Sequence, residues 1–182
     1  RDSSTSRGLG DVYKRQELFH PRRERVIVDG YNVIFAWDEL HRLAAQDVAA
    51  ARGALIDILA NYQGFRKCRV IVVFDAYKVK GNPGNVQTVH GVKVVYTKEA
   101  ETADTYIERA TYELRRERRV RVATSDGPEQ VIILGHGALR VSARAFHAEV
   151  EAAEGQISAV LQRLTNRPRS ERTIRNNVKL KQ

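Results

Sequence analysis

The chain carries one cysteine, Cys68, among its 182 residues, so no disulfide forms within it. A lone thiol suits a reducing, cytoplasmic compartment. Cys68 opens an apolar run, which reads as a buried structural thiol rather than a nucleophile. Long hydrophobic runs are also lacking: none approaches the ~18 apolar residues of a membrane span, and no secretory h-region appears. The five histidines (His20, His41, His90, His136, His147) show no ligand spacing such as H-x3-H, which argues against zinc. The phosphate-cradle motif G-x-x-x-x-G-K-[ST], a G-x-G-x-x-G after the first strand and a G-x-S-x-G nucleophile elbow are all missing. Asp29-Gly30-Tyr31 puts a tyrosine where the Asp-x-Asp phosphatases need their second acid.

Acidic charge is scarce at both ends. Residues 1–25 hold seven Lys/Arg against four Asp/Glu, and residues 163–182 hold seven against Glu171 alone. Residues 26–162 hold seventeen of each, so the net charge of +9 lies in the two terminal segments. A basic tail beside a neutral core suggests a polyanionic partner, nucleic acid before membrane, because the tail lacks a bulky apolar face. The alternative is a merely solvated tail.

What remains is a sequence of alternating β and α patterns, long enough for one domain with a real core. Residues 1–16 have no periodicity and read as non-native, adaptor-like sequence; 1–22 fall outside the core, 23–166 form the folded domain, and 167–182 form a flexible basic tail. Strands are expected at Arg25–Asp29, Cys68–Phe74, Val92–Thr97, Val120–Thr124 and Leu139–Ser142. Gly30–Phe35 reads as a loop before a short helix, Trp37–Ala45. Asp47 caps a helix running to about Phe65. Tyr77–Gln87 reads as a flexible basic loop. Further helices are expected from Thr102 or Glu101 to about Arg118, over Pro128–Leu134, and from about Ala143 to Leu164. The pattern implies a three-layer α/β sandwich with a mainly parallel central sheet. Tyr31, Phe35 and Trp37 read as core aromatics, with base stacking the alternative for Tyr31 and Phe35.

Four acids sit where apolar runs stop: Asp29, Asp75, Asp104 and Asp126. In an open parallel sheet, ligands bind beyond the carboxyl ends of the strands, so these acids are expected to share a cleft. Two carboxylates ~4 Å apart repel by roughly 4 kcal/mol at an effective dielectric of about 20, so a gathered cluster implies a cation. Hard oxygen ligands suit Mg2+ or Mn2+.

The segments Val28-Asp29-Gly30-Tyr31-Asn32, Val73-Phe74-Asp75-Ala76-Tyr77 with Val79-Lys80-Gly81, Thr97-Lys98-Glu99 leading into Glu101-Thr102-Ala103-Asp104, Ala123-Thr124-Ser125-Asp126, and Gly135-His136-Gly137-Ala138-Leu139-Arg140 before Ser142-Ala143-Arg144 follow one another in order. Together they resemble the YacP-like NYN domains of the PIN-like nuclease superfamily, over about Val26 to Ala148. The resemblance implies a PIN-like fold and metal-dependent cleavage of single-stranded RNA. One branch, the Rae1-type endoribonucleases, associates with the ribosome and cuts translated mRNA. Carried onto this sequence, the resemblance makes Asp29, Asp104 and Asp126 metal ligands and Asp75 a ligand or supporting acid. It places Asn32 on the loop or a phosphate, and Thr124 and Ser125 on carboxylates or bound water. Glu101 is left between a site role and a helix-end charge. Lys78 and Lys80 are candidate phosphate contacts.

The expected reaction is in-line attack of a metal-activated water on an RNA phosphodiester, leaving 3′-hydroxyl and 5′-phosphate ends. Two rivals stand beside it: a non-catalytic RNA- or ribosome-binding module of the same fold, and a small-molecule phosphohydrolase.

Overall fold

The computed structural model describes residues 24–76, 81–116, 119–125 and 138–166. Six strands form one sheet: β1 (Glu24–Asp29), β2 (Arg69–Phe74), β3 (Asn85–Val89), β4 (Val92–Tyr96), β5 (Arg119–Thr124) and β6 (Leu139–Ser142). Their spatial order is β3-β4-β2-β1-β5-β6, with every pairing parallel except β3 against β4. Five helices are described: α1 (Gly30–Ala36), α2 (Asp38–Gln46), α3 (Val48–Arg66), α4 (Ala103–Leu114) and α5 (Ala143–Thr165). The α/β fold with a mainly parallel sheet and helices on both faces is as the sequence pattern implies.

β1 lies near the sheet's middle, with Ile27 between Ile71 and Val122 and Val28 between Val72 and Ala123. Both faces of such a strand are covered, which explains an unbroken apolar run rather than an alternating one. Side chains still alternate in direction. Val26, Val28, Val70, Val72 and Phe74 face α1, α2, α3 and α5, packing with Trp37, Leu55, Leu59, Tyr62 and Phe146. Ile27, Ile71, Val73, Val95 and Val122 face α4, packing with Ala103, Ile107 and Ala110. Trp37 Nε1–H donates to the carbonyl of Ala143 at 2.9 Å, joining the α1–α2 junction to the start of α5. At the amino end of the sheet, the buried Arg121 donates to Glu149 at 2.5 Å, with Glu24 3.8 Å away and Tyr62 Oη–H donating to Glu149 at 3.1 Å. A buried guanidinium is tolerable only with such partners. Cys68 is buried, and burial pushes its thiol up to about 11, as a structural cysteine should be.

Side-chain caps set the helix starts. Asp47 accepts from the amides of Ala49 and Ala50, Thr102 from Thr105 and Ser142 from Ala145. Three expectations need correction. Gly30–Phe35 is not a loop but most of α1, because Asp29 caps it and Val33 and Ile34 are buried beneath it. The expected Tyr77–Gln87 loop stops short of β3, which begins at Asn85 and is joined to β4 by a His90-Gly91 turn. Both turn residues have positive φ, 48° and 83°, as a two-residue turn matched to strand twist requires. α4 also ends at Leu114 rather than near Arg118. The expected Pro128–Leu134 helix, the Gly135-His136-Gly137 turn, and the segments 1–22 and 167–182 lie outside the described residues.

Gly30 begins α1 directly against the end of β2. A Cβ there would lie 2.3 and 2.5 Å from two carbons of the Phe74 ring, and Phe74 is fully buried. Gly30→Ala should therefore destabilise the domain by about 1–3 kcal/mol, in the range of core overpacking. That corresponds to roughly 2–10 °C in Tm at this chain length. Thermal melts followed by circular dichroism check this, and an unchanged Tm would show that the Phe74 ring can move aside.

Candidate functional site

Asp29 is the last residue of β1 and the N-cap of α1. Its backbone pairs with Val73, and strand alternation puts its side chain on the face of Ile27, the face that α4 covers. Asp75 stands two residues beyond Val73, at the end of the neighbouring strand. α4 enters this face by its amino end, with Asp104 exposed in its first turn. The alternating pattern thus brings three of the four expected acids to one corner of the sheet's carboxyl edge.

Each acid is held differently. Asp29 is 5% exposed and binds Asn32 twice, accepting its backbone N–H at 3.4 Å and its side-chain Nδ2–H at 2.6 Å. Burial raises the Asp29 carboxyl from 3.8 to about 6. The two Asn32 hydrogen bonds oppose that rise, while the negative charges of Asp104 and Asp75 add to it. Asp75 Oδ1 accepts the backbone N–H of Ala103, so this carboxylate ties the end of β2 to the first turn of α4. Anions are favoured at such a helix start. The contact makes Asp75 the acid that fixes where Asp104 sits.

A polar knot supports that corner. Thr97, 1% exposed, donates its amide to the Phe74 carbonyl at 3.0 Å, and its Oγ1 accepts the Ala76 amide at 2.9 Å. Asn82 Nδ2 donates to the carbonyls of Ala76 and Thr97 at 3.2 and 3.0 Å. The Glu99 amide donates to the Asn82 carbonyl at 2.9 Å, and the Gly81 amide donates to Glu99 Oε2 at 2.8 Å. Beyond the last ladder bonds, side chains thus take over the pairing of β2 with β4 and hold the chain just after Asp75. Sequence reasoning gave Asn82 and Thr97 no such role; the Gly81-Asn82-Pro83-Gly84 composition signalled a turn but not the bond from Asn82 to Thr97, 15 residues away.

Of the remaining candidates, Asn32 is half-buried and engaged with Asp29. Thr124 is 1% exposed at the end of β5, and the Ser125 carbonyl accepts from Arg140 at 3.0 Å. Glu101 is 7% exposed and lies 2.5 Å from Arg109 Nη1, an ion-pair contact without hydrogen-bond alignment. Asp126, Lys78 and Lys80 lie outside the described residues. Among the described residues, no three His, Cys, Asp or Glu side chains are close enough together to hold a metal ion. The donor chemistry nevertheless fits a hard divalent cation: Asp29 is a buried carboxylate whose hold on a proton is strengthened by two neighbouring carboxylates.

The model of the YacP-like NYN domain matches residues 26–182, most of the chain. The chain belongs to the YacP-like NYN domain family. It is 46% identical over 142 residues to the uncharacterized protein YacP of Bacillus subtilis (strain 168), covering 78% of this chain and 83% of that one. A crystal structure of Rae1 (YacP) from Bacillus subtilis superposes with a TM-score of 0.68 at 43% identity, covering 84% of this chain and 88% of that one. A tryptophan-to-leucine variant of the same protein gives 0.70 at 42% identity, covering 83% and 90%. Membership is consistent with a PIN-like nuclease. Among the described residues, no helix is long and apolar enough to cross a membrane.

The raised Asp29 carboxyl makes a stability prediction. In the native state it ionises near pH 6, against 3.8 for the free side chain, so native ionisation costs stability fully above about pH 6 and not at all below about 3.8. In EDTA, Asp29→Asn should therefore be more stable than the wild type at pH 7.5, on the order of 1–3 kcal/mol. The advantage should shrink as pH falls through the 6 to 3.8 window. Urea unfolding at several pH values checks it, and a difference independent of pH would remove burial of the ionised acid as its cause.

Proposed function

We propose that this chain is a divalent-cation-dependent endoribonuclease that cuts single-stranded RNA in the cytoplasm, with ribosome-engaged mRNA as its substrate. The supporting observation is the gathering of Asp29, Asp75 and Asp104 on the α4 face of the sheet's carboxyl edge, with Asp29 buried and destabilised as an anion. Family membership and the solved Rae1 (YacP) relative favour RNA over a small phosphoester. The domain is proposed to comprise residues 23–166, with 1–22 and the basic 167–182 segment outside it.

Asp29, Asp104 and Asp126 are the proposed ligands of Mg2+ or Mn2+, which when bound would neutralise phosphate charge and acidify the attacking water. Asp75 positions Asp104 through α4, and Asn32 fixes the Asp29 carboxylate. The attack breaks the bond from phosphorus to the 3′-oxygen of the preceding nucleotide, leaving 3′-hydroxyl and 5′-phosphate ends. Thr124 and Ser125 support the acids from β5. Lys78, Lys80 and the basic tail supply contacts to the RNA backbone or the ribosome.

Two experiments test this reading. Wild type should cleave ribosome-engaged mRNA in Mg2+ or Mn2+ and lose cleavage in EDTA, and Asp29→Asn should fall by ~100-fold or more. Equal cleavage by both proteins would overturn the metal-nuclease reading. No RNA cleavage by wild type, with intact RNA binding, would favour the binding module, and turnover confined to a phosphomonoester panel would favour the phosphohydrolase. Separately, deletion of residues 165–182 should weaken RNA or ribosome binding and flatten its dependence on salt. The log–log slope should fall by roughly 0.7 for each phosphate that the tail neutralises. An unchanged slope would show the tail to be passive.

A further inference from the structure

α1 carries an aromatic side chain that the core does not use. Val33, Ile34 and Trp37 are at most 1% exposed, whereas Phe35 is 54% exposed. This corrects the expectation that Phe35 packs in the core. Phe35 lies one turn after Tyr31, with the two rings stacked at 6.2 Å between centroids and 23° between planes. Tyr31 is half-buried and meets Phe74 edge-on at 5.3 Å, and Phe74 in turn stacks on Tyr96 at 5.5 Å. Arg52 Nη1 donates to Tyr31 Oη at 3.0 Å, and its guanidinium carbon lies 6.0 Å from the centre of the Tyr96 ring. The exposed His41 ring meets Phe35 edge-on at 5.8 Å. A row of rings with a cation beside it therefore runs along the carboxyl edge of the sheet. It starts two residues from Asp29, on the α3 side of the rim from the acids.

We propose that Phe35, backed by Tyr31 and Arg52, is a stacking platform for an unpaired nucleobase of the RNA strand that enters the carboxylate cleft. The proposal rests on the RNA reading above and adds a subsite to it. An unpaired base needs an open π-face and a nearby positive charge, and this rim offers both next to the acids. A protein partner would need a broad apolar patch, but here one exposed phenyl ring is flanked by tyrosine, histidine and arginine. Every base has a π-face, so the platform should add affinity with little sequence preference.

The full-length chain carrying Asp29→Asn is titrated in EDTA with a single-stranded oligoribonucleotide containing 2-aminopurine, reading anisotropy and fluorescence quenching. Phe35→Leu, which keeps apolar volume but not the ring face, should raise Kd roughly five- to a hundred-fold and remove the quenching. Phe35→Trp should restore both. With Asp29 intact, Phe35→Leu should raise KM for a cleavable RNA while changing kcat little. The platform is overturned if Phe35→Leu binds and quenches like its parent, or if Phe35→Trp fails to rescue. It is also overturned if only ribosome binding changes, or if the protein binds no RNA. Phe35-dependent quenching in a protein that cuts no RNA would uphold the platform while the cleavage reading alone fails.

Discussion

The carboxylate of Asp29 is the point on which this structure turns. It ends a strand whose two neighbours leave it almost no solvent, and it caps the helix that follows. Those two positions make opposite demands. Capping favours the charged form, because Asn32 donates two hydrogen bonds to it; burial and two nearby acids disfavour that charge, and they prevail, holding the carboxyl near 6. A fold selected only for stability would gain from an amide here. On the proposed reading, an acid held under these conditions gives up stability for an interaction that the isolated chain does not supply.

Much of the fold was legible because it obeys local rules. The apolar runs of β1, β2, β4 and β5 are buried on both faces, and Asp47 and Thr102 cap the helices that follow them. The failures were physical. β3 is an edge strand with Val86 57% exposed, so water on both faces erased the alternation that would have announced it. α1 begins with glycine and continues through Tyr, Asn, Val, Ile and Phe, poor helix formers that read as a loop. Its helicity comes from the cap and from burial rather than from propensity. Asp29 and Asp75 were visible as acids at the ends of apolar runs, and Asp104 as an acid opening a helical pattern. That Asp75 holds α4 in place was not, because its partner, Ala103, is 28 residues away in sequence.

This division among the acids follows from connectivity. Asp29 belongs to β1 and is fixed by the sheet, whereas Asp104 belongs to a helix that reaches the cleft only after β3 and β4 have been crossed. Something must register that helix against the central strands. Asp75 does so through the Ala103 amide, and the Asn82–Thr97 knot braces the chain beside it. The bonds of Asn82 and Thr97 join neutral groups. They therefore add no charge to a corner already strained by carboxylates, and they persist at any pH at which the acids titrate.

The charge map then constrains how a polyanion could use the site. Carboxylates alone repel phosphate, and at physiological salt that repulsion acts over about 8 Å. A nucleic-acid strand therefore gains nothing from the acids until a cation offsets them, and its grip must come from other groups, basic side chains or uncharged surfaces. This chain carries a basic excess in its terminal segments, and it has an exposed ring at the rim whose affinity for a base is insensitive to the sign of the cleft. On the proposed reading, the segregation of charge is what allows one small domain to bind a polyanion at an acidic site. Grip and chemistry draw on separate groups, and only the chemistry needs the cation.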